Sequence, residues 1–136
     1  MKMLSSHFSE RECACRCGCG FDQVPPRMLG LAEKVREVLS NVPMIVHSVC
    51  RCPDRNKQVG GVKNSQHLQG KAMDFHAKGL SNEEAYKKIK SAFNSGQLPE
   101  LGGLFLYDWG VHIDVRPIPD GRLRTADYRE VSRNDS

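Results

Sequence analysis

Residues 60–75, GGVKNSQHLQGKAMDF, constrain the fold more than any other part of the chain. They carry His67 and Asp74, with Gly60, Gly61 and Gly70 loosening the backbone around them. Asp74 lies between Met73 and Phe75 in a short apolar run, 72–75, that reads as a buried strand. A carboxylate is costly to bury without a partner, so this strand requires a cation: a metal, or an ion pair with Lys71 or an arginine. Far downstream, the alternating run Val111-His112-Ile113-Asp114-Val115 supplies a second histidine. Strand side chains alternate between faces. His112, Asp114 and Arg116 therefore share one face, while Val111, Ile113 and Val115 turn to a core. On its own that polar face reads as the wet side of a sheet. Two imidazoles and one carboxylate, however, are a common ligand set for a catalytic zinc, which keeps a further position open for water.

The rest of the chain reads as the scaffold that brings these two pieces together. At 136 residues it is expected to form one domain with a real core. Residues 1–24 are irregular, rich in Cys and Gly, and expected to pack as an arm on that domain. Pro25 and Pro26 open a helix over 26–39, since proline at the first helical position sacrifices no hydrogen bond. Met28, Leu31, Ala32, Val35, Val38 and Leu39 follow helical spacing there, with Glu33, Lys34, Arg36 and Glu37 outward. A β-branched strand follows over 44–49, then Arg51 and a short helix over 53–59. Ser81 and Glu84 form a capping-box pattern for a helix to Asn94 that buries Ala85, Ile89, Ala92 and Phe93, with Lys87, Lys88 and Lys90 solvated. A hairpin joins 104–107 to 111–115 through the turn Asp108-Trp109-Gly110. The tail after Pro117 is polar, with Tyr128 and Val131 as anchors. The class is α+β, a small antiparallel sheet with two main helices.

Composition removes several functions. The net charge of +4 is mild, and no block of like charge or aromatic-basic stripe suggests a nucleic-acid partner. No stretch is long and apolar enough for membrane insertion. The start, MKMLSSHFSERE, has no apolar region of a signal peptide, so the chain is expected in the cytoplasm as synthesised, acting outside only if released. A monomer is expected. Six cysteines are many for a reducing compartment. Cys13, Cys15, Cys17 and Cys19 are clustered, and Cys50 and Cys52 follow β-strand residues 44–49. A second, structural metal, disulfides formed after release and free thiols all remain open. The single-residue spacing is shorter than the two to four residues usual in structural zinc sites. His7 and His47 read as structural or surface histidines.

Ser65-Gln66-His67-Leu68-Gln69-Gly70-Lys71-Ala72-Met73-Asp74 resembles the pattern S-x-H-x-x-G-x-A-x-D of the zinc D-Ala-D-Ala carboxypeptidases, peptidase family M15. Ser48-Val49-Cys50-Arg51 is similar to the segment S-G-Y-R that precedes it. Asn56 with Val59-Gly60-Gly61 resembles N-x-x-V-G-G, and residues 103–116 resemble the closing G-G…Y…V-H-x-D-x-R. The opening, through Phe8, Glu10 and Cys15 to Gly20, looks like a compact subgroup often borne by phages or prophages.

The resemblance implies a hedgehog/DD-peptidase fold and one Zn²⁺ on His67, Asp74 and His112. It implies hydrolysis of peptide bonds in peptidoglycan stem peptides, by a carboxypeptidase or an endolysin-type endopeptidase. Arg51 matches the arginine that would stabilise an oxyanion, and Ser65 a substrate-contact or supporting residue. His76, Trp109 and Tyr107 are candidates to line the cleft. Several of the better-known relatives carry a proton-accepting acid three residues before the last histidine, where this chain has Trp109. Asp114, on the strand face of His112, is favoured on that geometry over Asp108, which the turn would have to aim inward; the alternative role of Asp114 is to orient a ligand histidine. The rival reading is a non-catalytic, zinc-containing cell-wall or protein binding module on the same fold.

Overall fold

The computed structural model describes residues 2–129. In chain order these form α1 (Glu10–Cys13), α2 (Pro26–Val38), β1 (Met44–Ser48), α3 (Pro53–Gln58), a 3-10 helix (Gln66–Gln69), β2 (Ala72–Ala77), α4 (Asn82–Asn94), β3 (Gly103–Leu106), β4 (Val111–Asp114) and β5 (Arg124–Asp127). The architecture is α+β, with α2 and α4 as the long helices. Among the described residues, no helix is long and apolar enough to cross a membrane.

Both long helices form where their end signals stand. Pro26 opens α2, and Met28, Leu31, Ala32 and Val35 are buried along one side. Ser40 and Asn41 then adopt φ of 61° and 60°, which stops the helix and turns the chain into β1. In α4 the Ser81 side chain accepts from the Glu84 backbone N–H at 3.1 Å, as the capping box requires. Ala85, Ile89 and Ala92 are buried and the three lysines stay in water.

The sheet runs β1-β2-β4-β3-β5. Pairing is antiparallel from β1 through β3, as expected. The fifth strand departs from the antiparallel reading: β5 joins β3 in parallel, Gly103 opposite Arg124 and Leu106 opposite Asp127. Its side chains are mostly exposed, so the tail carries no apolar alternation that would mark a strand. Of the two anchors expected in the tail, Tyr128 is half-exposed and Val131 lies outside the described residues.

One face of the sheet is the core side. Met73, Phe75, Leu104, Leu106, Val111 and Ile113 are buried there, and α4 packs against β2, β3 and β4. Each such side chain contributes roughly 1.5–3 kcal/mol by leaving water. The arm belongs to the same core: Phe8 and Cys13 are buried in it. Ser9 and Glu12 close a capping box around α1, an element too short to leave a periodic pattern. Glu33, read as outward, is half-buried because it fastens the arm, accepting from Ser5 Oγ at 2.6 Å and from the His7 backbone at 2.8 Å. The opposite face of the sheet carries Asp74, Phe105, His112 and Asp114.

Candidate metal centre

His67 is positioned by the 3-10 helix, through the helix cap at one end and a backbone carbonyl against its ring. Ser65 caps the helix, its Oγ accepting from the His67 N–H at 3.2 Å. Gly70 ends it at φ +66°, and a Cβ there would strike the Gln23 carbonyl, so this position needs glycine. The His67 imidazole is buried, with Nδ1 at 2.8 Å from the Val49 carbonyl. A carbonyl only accepts, so Nδ1 carries the proton and Nε2 presents a lone pair. That Nε2 is buried without a hydrogen-bond partner, yet it faces Asp74 Oδ2 at 3.1 Å. A lone pair facing a carboxylate oxygen is an arrangement that a cation between them would satisfy.

Sheet register brings the other two groups together. Asp74 and His112 are direct partners across β2 and β4, and Asp74 Oδ1 lies 2.8 Å from His112 Nδ1. Burial works against the charge on Asp74, but the hydrogen bond from His112 and the nearness of His67 hold its carboxyl well below the usual range. His112 Nε2 meets Asp114 Oδ2 at 2.7 Å. Burial disfavours an imidazolium, but the two carboxylates outweigh it and raise the pKa of His112. Phe105 stacks on the ring at 5.0 Å and holds its plane.

Asp114 is fully buried. Besides His112 it binds Arg116 through Nε at 2.9 Å, Nη2 at 2.7 Å and the backbone N–H at 3.1 Å. These bonds outweigh burial and bring its carboxyl down to about 2. Its strand neighbours are Ala72 and Gly103. The small neighbours are required, because a Cβ on Gly103 would come within 2.6 Å of Asp114 Oδ1.

These groups open into a cleft of about 480 Å³, lined among others by Arg51, Ser65, His67, Asp74, Phe105, Tyr107, His112, Arg116 and Tyr128. Arg51 Nη2 stands 3.7 Å from Asp74 Oδ2. Buried Asn56 steadies it, accepting from Arg51 Nη1 at 2.9 Å while donating to the Val62 carbonyl at 2.9 Å. A larger hollow of about 670 Å³, between the arm and Gln69, contains no histidine.

The ligand atoms of His67, Asp74 and His112 all lie within 4.8 Å of one another and are buried. With the orphaned Nε2 of His67, this donor set fits a divalent metal such as zinc. The family model described as Peptidase M15 matches residues 6–114.

The chain belongs to peptidase family M15.

Members of this family are zinc-dependent hydrolases of peptide bonds, and the His-Asp-His group agrees with that chemistry. Among curated proteins, no match is found. The family match ends at Asp114, so Arg116 and Tyr128, which also line the cleft, lie beyond it.

The remaining candidates scatter. Ser65 and Tyr107 line the cleft; His76, Trp109 and Asp108 are not among its lining residues. His76 instead meets His47, Nδ1 to Nε2 at 2.7 Å, and Trp109 packs between His47 and Tyr107. The Asp108 backbone carbonyl accepts from Asn82 at 3.0 Å in the β3–β4 turn. Cys13 and Cys50 are buried core thiols, whereas Cys15, Cys17, Cys19 and Cys52 gather at one point. The sequence reading did not assign Asn56, Phe105 or Arg116 a role at the site. The period of two in β4 does put Arg116 on the His112 face, but nothing local marks Phe105, which reaches His112 only through the register of β3.

Proposed function

We propose that this chain is a zinc metallopeptidase that hydrolyses peptide bonds in peptidoglycan stem peptides. The observation that carries the reading is the facing pair of acceptors, His67 Nε2 and Asp74 Oδ2 at 3.1 Å, with His112 on the other carboxylate oxygen, at the base of an open cleft. His67 through Nε2, Asp74, and His112 through Nδ1 would hold the ion. When bound, Zn²⁺ supplies a Lewis acid that acidifies water and polarises a carbonyl.

The chain's own residues do the rest. The Val49 carbonyl fixes the His67 tautomer, and Asp114 keeps His112 Nε2 occupied so that Nδ1 is the ligand atom. Arg51 is held by Asn56 beside Asp74, where its guanidinium can stabilise an oxyanion developing on the substrate. Tyr107 and Tyr128, stacked at 5.1 Å, form an aromatic wall for the peptide. Asp114 has an orienting role here, because its oxygens are committed to His112 and Arg116 in a site without solvent. Asp108, in the β3–β4 turn, is then the remaining candidate for proton transfer, and it stands outside the residues that line the cleft.

One observation favours a second reading. Among the described residues, Asp74 is the only carboxylate lining the cleft. A zinc-containing module that binds wall peptides without cutting them requires no second carboxylate. Digestion of purified peptidoglycan with and without added Zn²⁺, with products read by mass spectrometry, separates the two. Zinc-dependent release of stem-peptide fragments, lost in His67→Ala and Asp108→Asn, supports the peptidase. Stoichiometric zinc and wall binding without any cleavage would replace it with the binding module.

A further inference from the structure

The four cysteines that gather at one point take no part in the chemistry of the cleft. We propose that Cys15, Cys17, Cys19 and Cys52 form a second metal site, a zinc tetrathiolate that fastens the N-terminal arm to the segment carrying Arg51. Their sulfur atoms all lie within 4.8 Å of one another. Cys15 and Cys17 are 3.4 Å apart and Cys17 and Cys52 are 3.6 Å apart. Zinc–sulfur bonds of about 2.3 Å in a tetrahedron place neighbouring sulfurs about 3.8 Å apart. Disulfides would join the four only in pairs, each at about 2.05 Å. A common centre uses all four at once.

The backbone is shaped for this. Cysteines at alternate positions share one side of an extended chain but stand about 6.6 Å apart along it, too far to meet at one ion. Gly18 and Gly20, at φ +83° and +91°, bend the segment so that it does not extend. The Cys15 N–H donates to the Phe21 carbonyl at 2.8 Å and the Gly18 N–H to the Cys15 carbonyl at 3.2 Å, closing a loop. The short spacing that departs from ordinary structural zinc sites is thus accommodated by two glycines. Cys52 is delivered from across the molecule, and two backbone N–H groups donate to sulfur, Cys52 N to Cys15 Sγ and Arg55 N to Cys52 Sγ, each at 3.4 Å. Such bonds spread the charge of metal-bound thiolates. An all-sulfur set selects a soft or borderline ion such as zinc over magnesium or calcium.

The loop's side-chain tie to the rest of the fold is the Arg16 guanidinium, which donates to the Arg11, Val46 and His47 carbonyls at 3.1–3.3 Å. Arg16, Cys17, Gly18, Cys19 and Gly20 are exposed, so no apolar burial holds them. The other two thiols are excluded by position: Cys13 and Cys50 are 0% and 1% exposed within the core. Since Cys52 directly follows Arg51, a metal there would clamp the backbone next to the arginine.

The test uses none of the cleft's activity. His67→Ala removes a ligand of the first site, so zinc that remains reports the second. Purified anaerobically with reductant, His67→Ala is expected to keep stoichiometric zinc, and to lose it when Cys17→Ser or Cys52→Ser is added. In case those variants fold poorly, cobalt loaded into His67→Ala provides a second reading. A tetrahedral thiolate site gives sulfur-to-cobalt charge-transfer bands and intense visible absorption. Absence of those bands, or intact masses showing the cysteines paired as disulfides in the freshly isolated protein, would overturn the proposal. Either result leaves the reading of the cleft untouched.

Discussion

Replacing Asp114 with asparagine separates an orienting role from a proton-transfer role. Asparagine keeps the shape of a side chain that is fully buried between Ala72 and Gly103, so packing is preserved and the charge is what changes. Two contacts weaken: the one at 2.7 Å to His112 Nε2 and the ion pair at 2.7 Å to Arg116. A carboxylate behind a ligand histidine raises its basicity and fixes its plane, and removing it costs about 10–100-fold in metal affinity. That corresponds to about 1.4–2.8 kcal/mol. Arg116 is 30% exposed and can return to water, so the accompanying loss of fold stability should stay near about 1.5 kcal/mol, the lower end for a charged hydrogen bond. Zinc affinity is measured by competition with a chromophoric chelator, and stability by urea denaturation of the metal-free protein. Turnover is then assayed at saturating zinc, where an orienting residue is largely rescued. An unchanged zinc affinity with abolished turnover would refute the reasoning and make Asp114 the proton acceptor.

Other perturbations test neighbouring parts of the structure. The raised pKa of His112 means that its contribution to the stability of the metal-free protein is fully present below its ordinary 6.5 and is lost as pH rises through the raised folded value. Thermal melts of the chelated protein should therefore lose this contribution on the alkaline side, while zinc affinity rises with pH because the ion must displace the His112 proton; proton release on zinc addition would be followed with a pH indicator. Gly103→Ala drives a methyl group into the Asp114 carboxylate, so it is expected to cost about 1–3 kcal/mol and to weaken zinc binding together with stability. Phe8→Ala should cost about 3–5 kcal/mol, since Phe8 is 1% exposed; an unmoved unfolding midpoint would mean the arm is not part of the core.

What the sequence discloses depends on how local the cause is. The α4 helix announces itself because Ser81 and Glu84 carry their own cap, and β4 because apolar and polar residues alternate through His112 and Asp114. The pairing of His67 with Asp74 is legible as a motif and as a physical problem, a carboxylate in an apolar strand. By contrast, β5 is a partly wet edge strand whose reason for existing is the unpaired side of β3, and no pattern within Arg124–Asp127 records it. The role of Asp114 is hidden for a similar reason. Spacing shows that it shares a face with His112, but which ring nitrogen it touches depends on the plane imposed by Phe105 and on Arg116. The cysteines could be counted and not sorted, because Cys13 ends α1 in the core while the following loop, bent at Gly18 and Gly20, gathers Cys15, Cys17 and Cys19 with the distant Cys52.

The cross-strand register of Asp74 with His112 has a consequence for how the chain reaches its folded state. These residues are 38 positions apart, and the whole of α4 and β3 lies between them. The metal-binding triad is complete only after β2 and β4 have paired, and a slip of one residue in β4 would turn His112 to the opposite face. An ion held by these three groups would therefore favour the chains in which β2 and β4 have paired in this register. Removing that ion should leave a folded, silent protein that regains metal without refolding, and a misregistered chain would betray itself by failing to take up zinc at the cleft.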